Sequence, residues 1–182
     1  GSLMDISHLE AGYPITNRIP VHVGPLIDYV LAVEEPNLEQ RGIQPLRSID
    51  PDLPEVFADE SMLRRVLLNL LDNALKYSRH GQTISIQAEC EMNEDMVRFS
   101  VVDQGQGVPE PYRDLIFEKF QRIRSGPSAS GLGLGLAFCR LAVEAHGGRI
   151  WVEEAPAGGA CFCFTVPIAL EDQPASISES AD

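Results

Sequence analysis

Between Glu60 and Asp103 the hydrophobic pattern of the chain changes period, and that change limits the folds open to it. In "ESMLRRVLLNLLDNALKYS" the residues Leu63, Leu67, Leu70, Leu71 and Ala74 recur at helical spacing, with Asp59 placed to cap the first turn. Directly afterwards, "TISIQAEC" alternates Ile84, Ile86, Ala88 and Cys90 with Ser85, Gln87 and Glu89. A polar turn, "EMNED", leads into a second strand, "MVRFSVVD". A striped helix beside a one-faced strand pair must bury both apolar surfaces, and laying one on the other gives two layers.

The remaining segments extend that plan. Pro25 to Arg41 reads as a helix stopped by Gly42, with a kink or break expected at Pro36. "IQPLRSIDPDLP" suggests a short strand and a Pro-rich turn, and a short helix is expected from Pro109 to about Phe120. A polar loop, Ser125 to Ser130, precedes a helix that ends at His146 before Gly147 and Gly148. "RIWVEE" and "ACFCFTVP" read as two closing strands. The predicted class is α/β (α+β): a two-layer sandwich of a mixed, mostly antiparallel sheet with helices on one face.

At the ends, Gly1-Ser2 reads as a scar of tag removal. Residues 1–12 carry the last turns of a helix striped by Leu3, Ile6 and Leu9, stopped by Gly12 and Pro14 and expected to need a partner outside the chain. Residues 13–170 form the expected domain, and 171–182 are an acidic, Ser-rich tail expected to be disordered.

A net charge of −13 over 182 residues disfavours nucleic acid and anionic lipid as partners. Any polyanion must then be held by local donors and a metal. No apolar run approaches the ~18 residues of a membrane span, so a cytoplasmic domain is expected, whether or not the full-length protein is membrane-anchored. Cys90, Cys139, Cys161 and Cys163 read as reduced core thiols, because Cys161 and Cys163 share a strand face without C-x2-C metal spacing.

Three stretches carry candidate chemistry. Asn69, Asn73 and Lys76 fall within a wedge of about 60° on one helix, with Tyr77 at its edge. Amide oxygens suit Mg²⁺ and a lysine suits phosphate. In "VVDQGQGVP", Asp103 ends a strand where a carboxylate could accept an exocyclic amine, and Gly105 and Gly107 would let a planar base approach. In "FEKFQR", Phe117 and Phe120 read as core, with Arg122 and Arg124 beyond. "SGLGLGLAFCR" adds Gly131, Gly133 and Gly135, which lack both the Gly-Lys-Ser/Thr of a Walker loop and the G-x-G-x-x-G of a dinucleotide fold. Taken singly, each stretch equally suits a solvated helix face, a common turn or packed aromatics.

In this order, "NLLDNALKYS", "DQGQGVP", "FEKF" and "GLGLGL" resemble the asparagine, first glycine, phenylalanine and second glycine boxes of sensor histidine kinases. The match is to their catalytic ATP-binding domain, a Bergerat fold, over roughly Val21 to Pro167. The resemblance implies ATP and Mg²⁺ as cofactors, with Asn73 as metal ligand and Asn69 assisting. Asn69, Asn73 and Lys76 would be the catalytic set, with Lys76 and Arg122 on phosphate and Tyr77 bordering the nucleotide. Asp103, supported by Gly105, Gly107 and Val108, would take the adenine, and Phe120 would border the site. Gln121 to Ser130 would be a mobile lid, and Gly131, Leu132, Gly133, Leu134, Gly135 and Leu136 its hinge and phosphate-facing end.

The resemblance extends to "LMDISHLEAG", which is similar to the end of the second dimerisation helix. None of His8, His22, His80 and His146 is followed by an acidic residue, so the phosphoacceptor is expected on a domain absent from this stretch, and the stretch itself is expected to be monomeric. A response regulator is the implied downstream partner. The competing readings are a degenerate nucleotide- or partner-binding module, and another ATPase or serine kinase of the same superfamily.

Overall fold

Residues 2–91, 95–121 and 133–170 are described by the computed structural model. Arg122, Gly131, Leu132, the loop Ser125 to Ser130 and the 171–182 tail lie outside them, as does the side chain of Leu3.

The seven buried residues of α3 (Glu60–Tyr77), among them Leu63, Leu67, Leu70 and Leu71, set the register of the whole domain. Burying each such side chain contributes about 1.5–3 kcal/mol, far more than helix propensity does. The Asp59 carboxylate accepts the Met62 N–H at 3.0 Å and caps the helix as expected.

Beneath this layer lies a five-stranded sheet. Its strands are β2 (Gln44–Ile49), β4 (Thr83–Cys90), β5 (Met96–Val102), β6 (Ile150–Glu154) and β7 (Ala160–Pro167), in the order β2-β4-β5-β7-β6. Only β2 and β4 pair in parallel; the other pairs are antiparallel. The inward face of the sheet brings Ile84, Ile86, Val97, Phe99, Val101, Phe162 and Phe164 into one core with the leucines of α3. Phe99 and Phe164 stack there at 4.8 Å. The helices α2 (Val23–Gln40), α3 and α4 (Gly135–Ala145) cover that face, so the mixed, mostly antiparallel two-layer arrangement holds.

Several local expectations are corrected. Helix α2 runs through Pro36 without a break, because Pro36 and Ala32, whose carbonyl loses its donor, are exposed and water can replace the bond. Two three-residue strands, β1 (Ile19–Val21) and β3 (Val56–Ala58), pair antiparallel and lead directly into Asp59; they are too short to show a period in sequence. The expected helix after Pro109 is two single 3-10 turns, Glu110–Tyr112 and Leu115–Phe117. Glu118 is already extended, so Phe117 is buried while Phe120 leaves the core, 66% exposed and at φ +63°.

His146 is also corrected. At the end of α4 it is buried rather than a cation facing the helix end, and its ring is held neutral by an acceptor role on one nitrogen. The Asp59 N–H donates to its Nε2 at 3.0 Å, which leaves Nδ1 as donor to Ala142 O at 2.6 Å. Of the thiols, Cys90 is exposed, and Cys161 and Cys163 lie on the outer face of the sheet, away from the helices. At the N-terminus, α1 (Ser2–Glu10) buries Ile6 in the main core, packs Leu9 against it and lies against α4, so these two residues of its stripe find cover within the chain.

Candidate functional site

The exposed end of α3 and the turn after β5 meet at Asp103. Its side chain is buried, and its Oδ1 accepts two backbone N–H groups, from Gly105 at 2.8 Å and Ala160 at 3.1 Å. Both bonds fall on one oxygen. Burial pushes the carboxyl above the usual aspartate range, and the two N–H bonds partly oppose that shift.

The glycines around Asp103 answer first to the chain itself. A Cβ on Gly105 would lie 2.6 Å from the Tyr77 carbonyl oxygen, so only glycine lets this turn close onto the end of α3. A Cβ on Gly107 would lie 3.0 Å from Gly159 O. At both positions a side chain would therefore run into backbone. Val108 is half-buried against the core, and its carbonyl accepts from Arg113 Nε at 3.1 Å.

Toward the middle of α3, Asn69 faces the start of α4. Its Oδ1 lies 3.0 Å from where a Gly135 Cβ would stand, and the neighbouring Cys139 thiol, which burial pushes up to about 12, donates to Val66 O at 3.7 Å. The half-buried Asn73 has no side-chain hydrogen-bond partner among the described residues. Lys76 pairs instead with Asp72, Nζ to Oδ2 at 2.6 Å, and Tyr77 is exposed.

Across the chain between Gln121 and Gly133, the Phe120 N–H donates to Gly133 O at 3.1 Å. Leu134 is buried and Leu136 half-buried at the first turn of α4, whose open N–H groups follow Gly133. The structure thus gathers Asp103, Gly105 and Tyr77 at one end of α3, and Asn69 with Gly135 nearer its middle.

Two residues were missed in sequence. Gly159, at φ +94°, passes so close beneath Asp103 that a Cβ would meet its carbonyl oxygen at 2.2 Å. Ser78, capping α3, holds a buried hydroxyl with no partner among the described residues. The glycine pair before β7 was a legible signal for the first; an ordinary serine gives none.

Residues 58–170, well over half the chain, match the family described as histidine kinase-, DNA gyrase B- and HSP90-like ATPase. The chain belongs to that family. Within this ATPase family, it is 46% identical over 129 residues to the adaptive-response sensory kinase SasA of Prochlorococcus marinus, covering 70% of this chain and 34% of the relative. The Synechocystis SasA is 36% identical over 161 residues, 88% of this chain and 42% of that protein. The chain thus spans well under half the length of these relatives.

Among solved structures, full-length ShkA in complex with AMPPNP superposes with TM-score 0.82 at 31% identity, covering 97% of this chain and 36% of ShkA. The catalytic domain of histidine kinase ThkA superposes with TM-score 0.74 at 30% identity, covering 83% of this chain and 95% of that domain. The fold is that of a histidine kinase catalytic domain.

Proposed function

We propose that this domain binds Mg·ATP and donates the γ-phosphate to a histidine carried by a dimerisation domain. Residues 1–12 are assigned to the end of that domain's second helix, and 13–170 to the catalytic domain. Asp103 carries the reading: a buried carboxylate with both hydrogen bonds on Oδ1 keeps Oδ2 as an oriented acceptor for the adenine amine. The partnerless Ser78 hydroxyl close by also fits a polar ligand.

Asn69 and Tyr77 are eight residues apart on α3, about 12 Å, which matches a nucleotide whose base lies at Asp103 and whose phosphates reach α4. Asn73, with Asn69, offers amide oxygens for Mg²⁺, which when bound neutralises phosphate charge. Lys76 exchanges Asp72 for a phosphate oxygen; an exposed i,i+4 pair is worth under ~1 kcal/mol, so the exchange is easy. The N–H groups opening α4 at Gly135 and Leu136 face the same phosphates. Arg122 and the Gly131-Leu132 hinge are assigned to lid closure by resemblance alone.

Asn69 separates a kinase from a hydrolase. An amide cannot accept the proton of an attacking water, so the γ-phosphate is kept for the acceptor. ThkA has been seen in complex with the response regulator TrrA, and a response regulator is the proposed final acceptor here too. The test mixes this domain with a separately produced dimerisation domain and Mg·ATP. Label on that domain's histidine is expected; normal ATP binding without label would leave only a nucleotide-binding module.

A further inference from the structure

The outer face of the sheet, opposite the helices, carries a cluster that the nucleotide reading does not use. Successive outward residues of β7 are Cys161 and Cys163; beside them stand Val102 and Ser100 on β5, and Glu153 and Trp151 on β6. The two sulfurs approach to 3.4 Å, and Cys163 Sγ lies 3.7 Å from Glu153 Oε1. One donor atom from each of Cys161, Cys163 and Glu153 falls within 4.8 Å of the others.

Those separations suit one ion. Tetrahedral zinc, with Zn–S of about 2.3 Å and Zn–O of about 2.1 Å, needs its sulfurs ~3.7 Å apart and a sulfur–oxygen separation of ~3.6 Å. The thiols must part by only a few tenths of an ångström. A Cys-x-Cys pair suffices here because the third ligand comes from the neighbouring strand.

Charge and access agree. Two thiolates and a carboxylate around a dication leave one negative charge, and Arg98 supplies the balancing positive one. Its guanidinium lies 2.7 Å from Glu153 Oε1 and 3.2 Å from Cys163 Sγ, so metal entry must move it off at least the carboxylate oxygen. The Ser100 hydroxyl, 3.5 Å from Cys163 Sγ, is the remaining polar neighbour on that side. The sulfurs are buried, but the Glu153 side chain is 46% exposed, which opens a path for the ion and a place for a fourth, water ligand.

We propose that Cys161, Cys163 and Glu153 form a binding site for a thiophilic divalent cation, zinc above all, that staples β6 to β7 on the face away from the nucleotide. It is independent of the ATP reading and needs no nucleotide.

Cobalt(II) titration of the reduced protein, followed by competition with zinc, tests it. One equivalent should bind with a thiolate-to-cobalt charge-transfer band and tetrahedral d–d absorption. Cys161→Ser and Cys163→Ser should each weaken binding at least ~100-fold, Glu153→Gln ~10-fold, while Cys90→Ser leaves it unchanged. Absence of the charge-transfer band, or binding that survives loss of both thiols, overturns the site. Should the serine variants fail to fold, Glu153→Gln decides, since its side chain is half-exposed: unchanged affinity there also overturns the proposal.

Discussion

Asp103 meets two demands that ordinarily oppose each other, burial and negative charge. The two N–H bonds to Oδ1 hold the ionised form in place, yet desolvation still raises its pKa above 3.8. An acid raised in the folded state takes up its proton before the unfolded chain does. Its own contribution to stability is therefore fully present below pH 3.8 and lost as pH rises through the folded value. The proposed adenine recognition runs the other way and needs the ionised form. On acidification from neutrality, calorimetry should show ATP affinity falling while Asp103 itself costs the fold nothing. Beneath it, Gly159→Ala must place a Cβ against the Asp103 carbonyl at positive φ, and should cost at least ~2 kcal/mol in denaturant unfolding. Gly81→Ala, at φ +80° with open space around it, should cost only ~1 kcal/mol. Equal losses would mean that backbone conformation alone, and not the close approach, sets the requirement.

Between elements, the bond from Asp59 N–H to His146 bolts the start of α3 to the end of α4. Burial lowers the His146 pKa from 6.5, with the Arg18 charge adding to the shift. Arg18 also donates to the Ala145 carbonyl beside it, while Asp59 pulls the other way. The unfolded chain binds this proton near pH 6.5 and the folded one does not, so stability from this group is present above 6.5 and lost as pH falls toward the depressed value. Unfolding midpoints of the wild type should therefore drop between pH 7 and 5, and His146→Leu should flatten that slope. The same variant leaves the Asp59 N–H buried without an acceptor and should cost about 1–3 kcal/mol at pH 7.

These elements also show what a sequence can disclose. The leucine stripe of α3, its Asp59 cap and the alternation of β4 and β5 were legible because each repeats a local rule several times. The pairs β1–β3 and Asp59–His146 were not, since they join residues far apart in sequence through three-residue strands and one imidazole. Phe120 misled because a three-residue spacing implies a shared face only while the helix continues, and the chain turns extended at Glu118. At the site, the residue types were readable in the motifs, but the reason for Gly105 was not: it answers to the Tyr77 carbonyl.

For the whole molecule, the fold divides its labour between two faces of one sheet. Helices and the proposed nucleotide site take one side; the Cys161–Cys163–Glu153 cluster takes the other. With a net charge of −13, the chain repels free ATP, so removing Mg²⁺ with EDTA should weaken binding most at low ionic strength and less as salt screens the repulsion. Saturating Mg·ATP at about 100 times its Kd should stabilise the fold by about 2.7 kcal/mol, read as a rise in Tm of several degrees. The proposed nucleotide reading stands or falls with recognition of the adenine amine by Asp103. Its most direct test is calorimetric titration with Mg·ATP and with Mg·ITP, which lacks that amine, on the wild type and on Asp103→Asn. The wild type should prefer ATP by about 10–100-fold, and Asp103→Asn should lose the preference while staying folded. Equal binding of the two nucleotides by the wild type, or a preference that survives the substitution, would contradict that reading.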